Sequence, residues 1–453
     1  ALAALPNREF PEWCLRPKSF DDAVHKDNPL REYWIQSMIS ELEGKMANGS
    51  SGFGTLVPLS EAIKNGRRPI KTKWVYVLKL ELTGAIKEFK SRVVGCGYDQ
   101  RKGFDYDETF ASTIRSATVR AFFCVCAKYD YELALGDAIK AFTQAEMDTL
   151  MYGEIPRGFE VPGYCLRINM SLEGTKQAAY LWQGKLNTAL TRQKFVRSLI
   201  DPCLYVLKTE EGIILVIVWV DDMAIGYSSA SMFELFKSEL KKDINCKFED
   251  LLKFVGMEVV RDRKRKTITL TQTSYIEKLF KLYLSDVSHK GWKHITPCGT
   301  SREDAAKFME IKPTDNEQER VTNTNRGYLR VIGAIMHAMV FTRPDIAFHT
   351  SRLASCMQAP SNAAYEACLG EIHYLYHTKE LGITFGKVPF THLRGPRGVR
   401  PRGFAGSFEH DARSSRLPYS TKSAETAIFA AERPDGLSYA MAMSKGRDPH
   451  RSP

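Results

Sequence analysis

Gly212 to Gly226 reads GIILVIVWVDDMAIG, an apolar run that stops on two adjacent carboxylates and then turns apolar again. Ile213 to Val218 are large, mostly β-branched and too few for a buried helix, so they suit a buried strand. The run predicts one arm of a hairpin, with Met223 to Tyr227 as the return arm and Asp221 and Asp222 at the turn. Adjacent carboxylates repel and lose hydration when buried, so they persist where they are exposed or compensated by a cation. A divalent metal is one reading. The other is an ordinary Asp-Asp β-turn, since Asp is a common turn residue.

Working back along the chain, Tyr131 to Phe142 (YELALGDAIKAF) alternates Leu133 and Leu135 with small residues and delivers Asp137 at a strand end. If the two strands are neighbours in one sheet, three carboxylates converge. Such a cluster can hold two magnesium ions about 3.5 to 4 Å apart. Upstream, Lys71 to Leu80 and Ile86 to Gly97 read as strands joined by a hairpin-like turn through Leu82 to Ala85. The second strand carries Lys87, Lys90 and Arg92. Basic residues gathered on one strand face suit a phosphate-bearing ligand, and an ordinary solvated face would look the same. Ahead of these, Asn28-Pro29 and an apolar stripe from Leu30 to Leu42 predict a packing helix with Pro29 at its first position and Asn48 to Gly52 as its stop.

Asp105 to Thr113 reads as irregular and Ile114 to Tyr129 as a helix. Ser171 to Trp182 (SLEGTKQAAYLW) begins as a Gly-containing turn and continues into a helix that runs to about Thr191. Lys176 and Gln177 stand at its start, where an anion or a base edge can be held. Ser231 to Lys242 is amphipathic, with Phe233, Leu235, Phe236 and Leu240 expected inside. Phe254 to Val259 and Thr267 to Leu270 read as a second hairpin across the basic turn Arg261 to Lys266, followed by a helix from Ser274 to Tyr283. Asp304 to Thr324 is polar enough to read as a linker. Helices are expected over Tyr328 to Phe341, Pro344 to Met357 and Ala363 to His377. Beyond Gly386 the Arg-, Gly- and Pro-rich composition predicts a poorly ordered tail.

The 453 residues carry a formal charge of +11, which suits a polyanionic partner. The ten cysteines form no C-x-x-C pair, a pattern that argues for reduced intracellular thiols and against zinc. No run approaches about 18 uninterrupted apolar residues, and ALAALPNREF lacks a basic n-region, so nothing addresses the chain to a membrane. With Ala1 first, the sequence reads as a fragment or processing product of something longer.

Taken in order, the blocks KTKWVYVLKL, KSRVVGCGYDQ, DYDETFAST, DAIKAF, SLEGTKQAAYLW, WVDDM, FVGMEV with LTQTSYIEKL, and YLRVIGAIMHAMVFTRPDIAFHTSRLAS resemble the reverse transcriptase of copia-type LTR retrotransposons. The resemblance runs from about Pro17 to Gly386. It implies an α+β right-hand polymerase of fingers, palm and thumb with an antiparallel palm sheet, then a helical connection. The corresponding segments are an N-terminal arm over 1–66, fingers and palm over 67–260, a thumb-like segment over 261–310 and a connection over 311–386. A degenerate tail over 387–453 stands where the family has RNase H.

By matching position the resemblance makes Asp137, Asp221 and Asp222 the catalytic, metal-binding triad for Mg or Mn. Lys90 and Arg92 would hold the triphosphate, and Phe142 would lie under the incoming sugar and exclude a 2′-hydroxyl. Gly174, Lys176 and Gln177 would shape the nucleotide and template side of the pocket, and Phe254, Val255, Gly256 and Met257 would form the primer grip. Implied partners are an RNA or DNA template with its primer, dNTPs, and a second copy or other retroelement proteins; the implied location is the cytoplasm, in virus-like particles, or the nucleus.

The chain departs from the family pattern at four places. Trp219 replaces the usual Tyr, and Lys140 is displaced by one position after Asp137. Ala179 stands for a Pro and Glu173 introduces an acid. Phe404 to Glu409 lacks the Asp-Ala-Asp opening of RNase H, so no working RNase H is expected. The function expected is RNA-directed DNA synthesis. The alternatives are a decayed retroelement protein that binds nucleic acid without efficient turnover, and a two-metal nuclease or phosphatase using the same acids.

Overall fold

The computed structural model describes residues 10–46, 53–80, 85–285, 296–298 and 301–386. The helix stop at Asn48 to Gly52, most of the turn at Leu82 to Ala85, part of the thumb-like segment and the whole 387–453 tail lie outside the described residues.

Two compact units emerge, each discontinuous in sequence. The first comprises 1–113, 138–194 and 236–247. Its packing helix is Arg31–Met46. Asn28 prepares the entry: its Oδ1 accepts the Leu30 N–H at 2.9 Å, while its amide donates to the carbonyls of Asp22 and Ala23. Pro29 therefore precedes the first turn rather than opening it. The stripe Leu30, Trp34, Met38 and Leu42 is buried as its spacing requires. The Trp34 ring meets Phe89 edge-on at 4.8 Å and its N–H donates to the Cys14 carbonyl.

Phe89 belongs to Ile86–Gly95, which pairs antiparallel with Thr72–Leu80. The Ser37 hydroxyl donates to the Phe89 carbonyl and accepts from the Ser91 N–H, both at 2.8 Å, pinning strand to helix. A three-stranded sheet of Gly54–Pro58, Tyr164–Met170 and Glu146–Gly153 completes the sheet structure of this unit, and Ala178–Arg192 is its second long helix.

The second unit comprises the described residues of 114–137, 195–235 and 248–386. Its six-stranded sheet runs in the order Cys246–Asp250, Glu132–Ala138, Asp222–Tyr227, Gly212–Trp219, Leu204–Thr209, Val196–Arg197. Ile214 to Ile217 are fully buried, as an apolar β-branched run should be. Helix Ser116–Tyr129 lies close to the sheet at Gly226, where a Cβ would come within 2.5 Å of the Cys126 sulfur. A four-stranded sheet follows, in the order Lys253–Phe254, Met257–Asp262, Thr267–Thr271, Ile383–Gly386. Its last strand comes from the segment expected to be connection, so the connection and thumb-like segments share one sheet.

Several expectations are corrected. Asp304 to Thr324 is no linker: helices Arg302–Glu310 and Glu317–Asn325 occupy it. Ser301 and Asp304 form a capping box at the first, and the Asn316 side chain accepts from the Glu319 N–H at the second. Leu235 is 62 % exposed, because Met232, Phe233, Phe236 and Leu240 already fill the apolar face of helix Ala230–Leu240. Helices Thr273–Leu284, Tyr328–Phe341, Ala347–Ala354 and Asn362–His377 share a core that includes Tyr328, Ile332, Leu353, Ile372 and Leu375.

Candidate active site

Trp219 pairs with Asp222, so the hairpin turn is two residues long, Val220 and Asp221, and Asp222 already belongs to the return strand. Val220 takes a left-handed φ of 57°. A β-branched residue there is strained, a cost borne where the surrounding strands dictate the turn. On its other side the return strand pairs with Glu132–Ala138, and the register sets Asp222 directly opposite Asp137. Residues directly opposite across a ladder project from the same face, so these two carboxylates are neighbours. Asp221 stands at the exposed turn, and its charge acts on Asp222. The condition set by the sequence, two acid-bearing strands side by side, is met.

Burial first, then the charges of Asp221, Asp137 and Glu249, push the Asp222 carboxyl up to about 6. Glu249 was not expected. It sits on Cys246–Asp250, the strand beyond Asp137, and nothing in the sequence KFED announces its place in the sheet order.

Carboxylates crowded around Asp222 are the hard oxygen donors that Mg²⁺ or Mn²⁺ prefers, and the donor set fits such an ion. The side chains do not stand in a finished cage: among the described residues, no three His, Cys, Asp or Glu are grouped closely enough to hold a metal.

Lys90, Arg92, Phe142, Gly174, Lys176 and Gln177 belong to the first unit, while the acids and Phe254 to Met257 belong to the second. Lys90 and Arg92 share a strand face with Glu88, by the two-residue period. Lys87 does not join them: the ladder steps from Lys79↔Glu88 to Leu80↔Ile86, leaving Lys87 as the extra residue of a bulge. Burial, then the charges of Arg92 and Lys79, lower the Lys90 pKa. Phe142 opens a single 3₁₀ turn, Phe142–Gln144, and is partly buried. Lys140, the displaced lysine, takes a left-handed φ of 53° just before it.

Gly174 has φ +85°, and a Cβ there would sit 2.3 Å from the Gly95 carbonyl oxygen, so the loop needs glycine. Lys176 is exposed, its ammonium 5.1 Å from the Tyr106 ring centre. Gln177 is wholly buried. Its amide donates to the Asp105 carbonyl at 2.8 Å and its oxygen accepts from Gln100 at 2.9 Å, so it braces the loop from beneath.

Phe254 to Val259 is not one strand. Val255 and Gly256 both have positive φ, 49° and 76°, and form a tight turn between Lys253–Phe254 and Met257–Asp262. Phe254 and Met257 are buried, leaving the two turn residues as the part that can meet a ligand. The His337 ring lies 3.8 Å from where a Gly256 Cβ would be, and its Nδ1 is 3.0 Å from the Gln272 amide.

With this geometry in view, comparison with known proteins is specific. The family model described as reverse transcriptase (RNA-dependent DNA polymerase) matches residues 59–290, more than half of the chain, a span that includes Lys90, Arg92, the three acids and the Val255–Gly256 turn. The chain belongs to that family.

Among its relatives is the retrovirus-related Pol polyprotein from transposon TNT 1-94 of Nicotiana tabacum, 28 % identical over 375 residues, which are 82 % of this chain and 27 % of that protein. The Pol polyprotein from transposon RE2 of Arabidopsis thaliana is 28 % identical over 359 residues, 78 % of this chain and 23 % of that one. The chain thus spans about a quarter of the length of these plant relatives. Among solved structures, a foamy viral protease-reverse transcriptase in complex with double-stranded DNA aligns with 77 % of this chain and 60 % of its own. Its TM-score is 0.36 at 11 % identity, too low to speak for the fold.

Proposed function

We propose that this chain carries RNA-directed DNA synthesis, adding deoxynucleotides to a primer 3′-hydroxyl under the direction of a template. The observation that carries the reading is the register of Asp222 against Asp137 beside the Val220–Asp221 turn, within a chain of the reverse transcriptase family. Asp137, Asp221 and Asp222 would hold Mg²⁺ or Mn²⁺. Bound there, the ions supply electrostatic stabilisation of the charge that develops as the phosphodiester bond forms.

The chain's own residues do the rest. The buried strands on either side of Asp222 fix where the carboxylates stand. By family resemblance Lys90 and Arg92, on one face of their strand, would hold the triphosphate. By the same resemblance Phe142 would lie under the incoming sugar, and Val255-Gly256 would meet the primer end. The net charge of +11 favours a polyanionic template.

Primer extension on poly(rA) with oligo(dT) and either metal tests the reading. Incorporation that Asp221→Asn abolishes supports it. Salt-sensitive nucleic-acid binding with no incorporation supports the decayed protein, for which the substitutions at Trp219, Lys140 and Ala179 are the specific argument.

A further inference from the structure

The last turn of helix Asn362–His377 reads HYLYH, with His373 and His377 four residues apart. That spacing stacks two side chains on one helix face. The imidazoles use it: their Nε2 atoms are 3.1 Å apart, with ring centres at 4.3 Å and planes inclined by 53°. Two imidazole nitrogens bound to one zinc at about 2.0–2.1 Å, with an angle between square and tetrahedral, stand about 2.9–3.4 Å from each other. The observed separation falls inside that interval.

The helix C-terminus adds a partial negative charge that favours a cation. His373 is buried and His377 exposed, so the pair is reached from solvent on one side. Among the described residues no third His, Cys, Asp or Glu joins the pair to make a metal-sized group. Water or an added ligand would therefore complete the coordination.

We infer that His373 and His377 form a two-imidazole site for a divalent transition metal, zinc first among them. This site is separate in chemistry from the carboxylates, which suit harder ions. Its structural effect is local. A metal bridging the two rings fixes the last helical turn, and the next residue, Thr378, holds the buried Arg343 through its carbonyl at 3.2 Å and its hydroxyl at 2.8 Å. From there the chain runs into Ile383–Gly386, the edge strand of the four-stranded sheet. Zinc would thus secure the join between the helical cluster and that sheet.

The same 3.1 Å separation also suits a bare N–H···N hydrogen bond between the rings, and the experiment must tell the two apart. The full chain is dialysed against zinc chloride and its thermal unfolding followed with and without the metal. His377→Ala and His377→Gln are the variants, chosen because His377 is exposed and its loss spares the core; circular dichroism verifies their fold. An Asp221→Asn/Asp222→Asn variant reports on zinc held by the acids. The expected result is one zinc per chain, a higher unfolding temperature with zinc, and at least a tenfold loss of affinity in both His377 variants, while the acid variant keeps its zinc. Zinc retention undiminished in the His377 variants, or none at millimolar zinc, overturns the site and leaves only the hydrogen bond.

Discussion

Asp222 combines two tendencies that pull apart. Its carboxylate is set among Asp137, Asp221 and Glu249, and their charges add to burial in disfavouring its ionised form. Replacing it by Asn removes the repulsion without changing shape. In the absence of divalent metal at neutral pH, Asp222→Asn should therefore raise the unfolding temperature while abolishing nucleotide incorporation; a lower temperature would show that the carboxylates are not crowded. Gly174 gives the opposite case. A Cβ pressed against the Gly95 carbonyl at a left-handed φ should make Gly174→Ala cost about 1–3 kcal/mol or more, read from urea unfolding. The acids were legible because strand ends and turns have patterns. Gln177 was legible as a position but not as a role, because its burial depends on Gln100 and Asp105, more than 70 residues away.

At the level of elements, long apolar runs and stripes such as Gly212–Trp219 and Tyr328–Phe341 were read closely. Elements whose burial is slight were not. Arg302–Glu310 and Glu317–Asn325 bury one residue each, Phe308 and Asn323, so apolar periodicity could not find them, although their caps were in plain sight. Ser301→Ala should accordingly cost about 1 kcal/mol.

Helix Asn362–His377 carries a pH-sensitive element in the buried Glu371. One oxygen accepts from the Thr350 hydroxyl at 2.7 Å, the other has no hydrogen-bond partner among the described residues, and burial pushes its pKa up to about 8. A raised carboxyl pKa means that the folded chain holds the proton over a range where the unfolded chain has lost it. The contribution is therefore complete below the ordinary Glu range and declines as pH rises through about 8. Glu371→Gln should remove that decline and be more stable than the parent at pH above about 8, where urea unfolding compares them.

For the molecule as a whole, the sequence suggested segments laid end to end, whereas the contacts make two units that each draw on three stretches of chain. Strand pairing across long separations, such as Thr267–Thr271 with Ile383–Gly386, cannot be read from local patterning. The charge surplus is legible from composition and belongs to the whole chain. If it serves template binding, affinity for a primer–template duplex should fall with salt. Six phosphate contacts would lose on the order of a thousandfold between about 50 and 200 mM.

The central claim is that Asp137 and Asp222, brought together from strands far apart in sequence, act as one catalytic unit. Incorporation by Asp137→Asn, Asp222→Asn and the double variant measures this directly. Groups that act together are non-additive, so the account predicts a loss of at least about a hundredfold in each single variant and a double variant no worse than the poorer single. Normal incorporation by Asp137→Asn, or losses that multiply in the double variant, would contradict it.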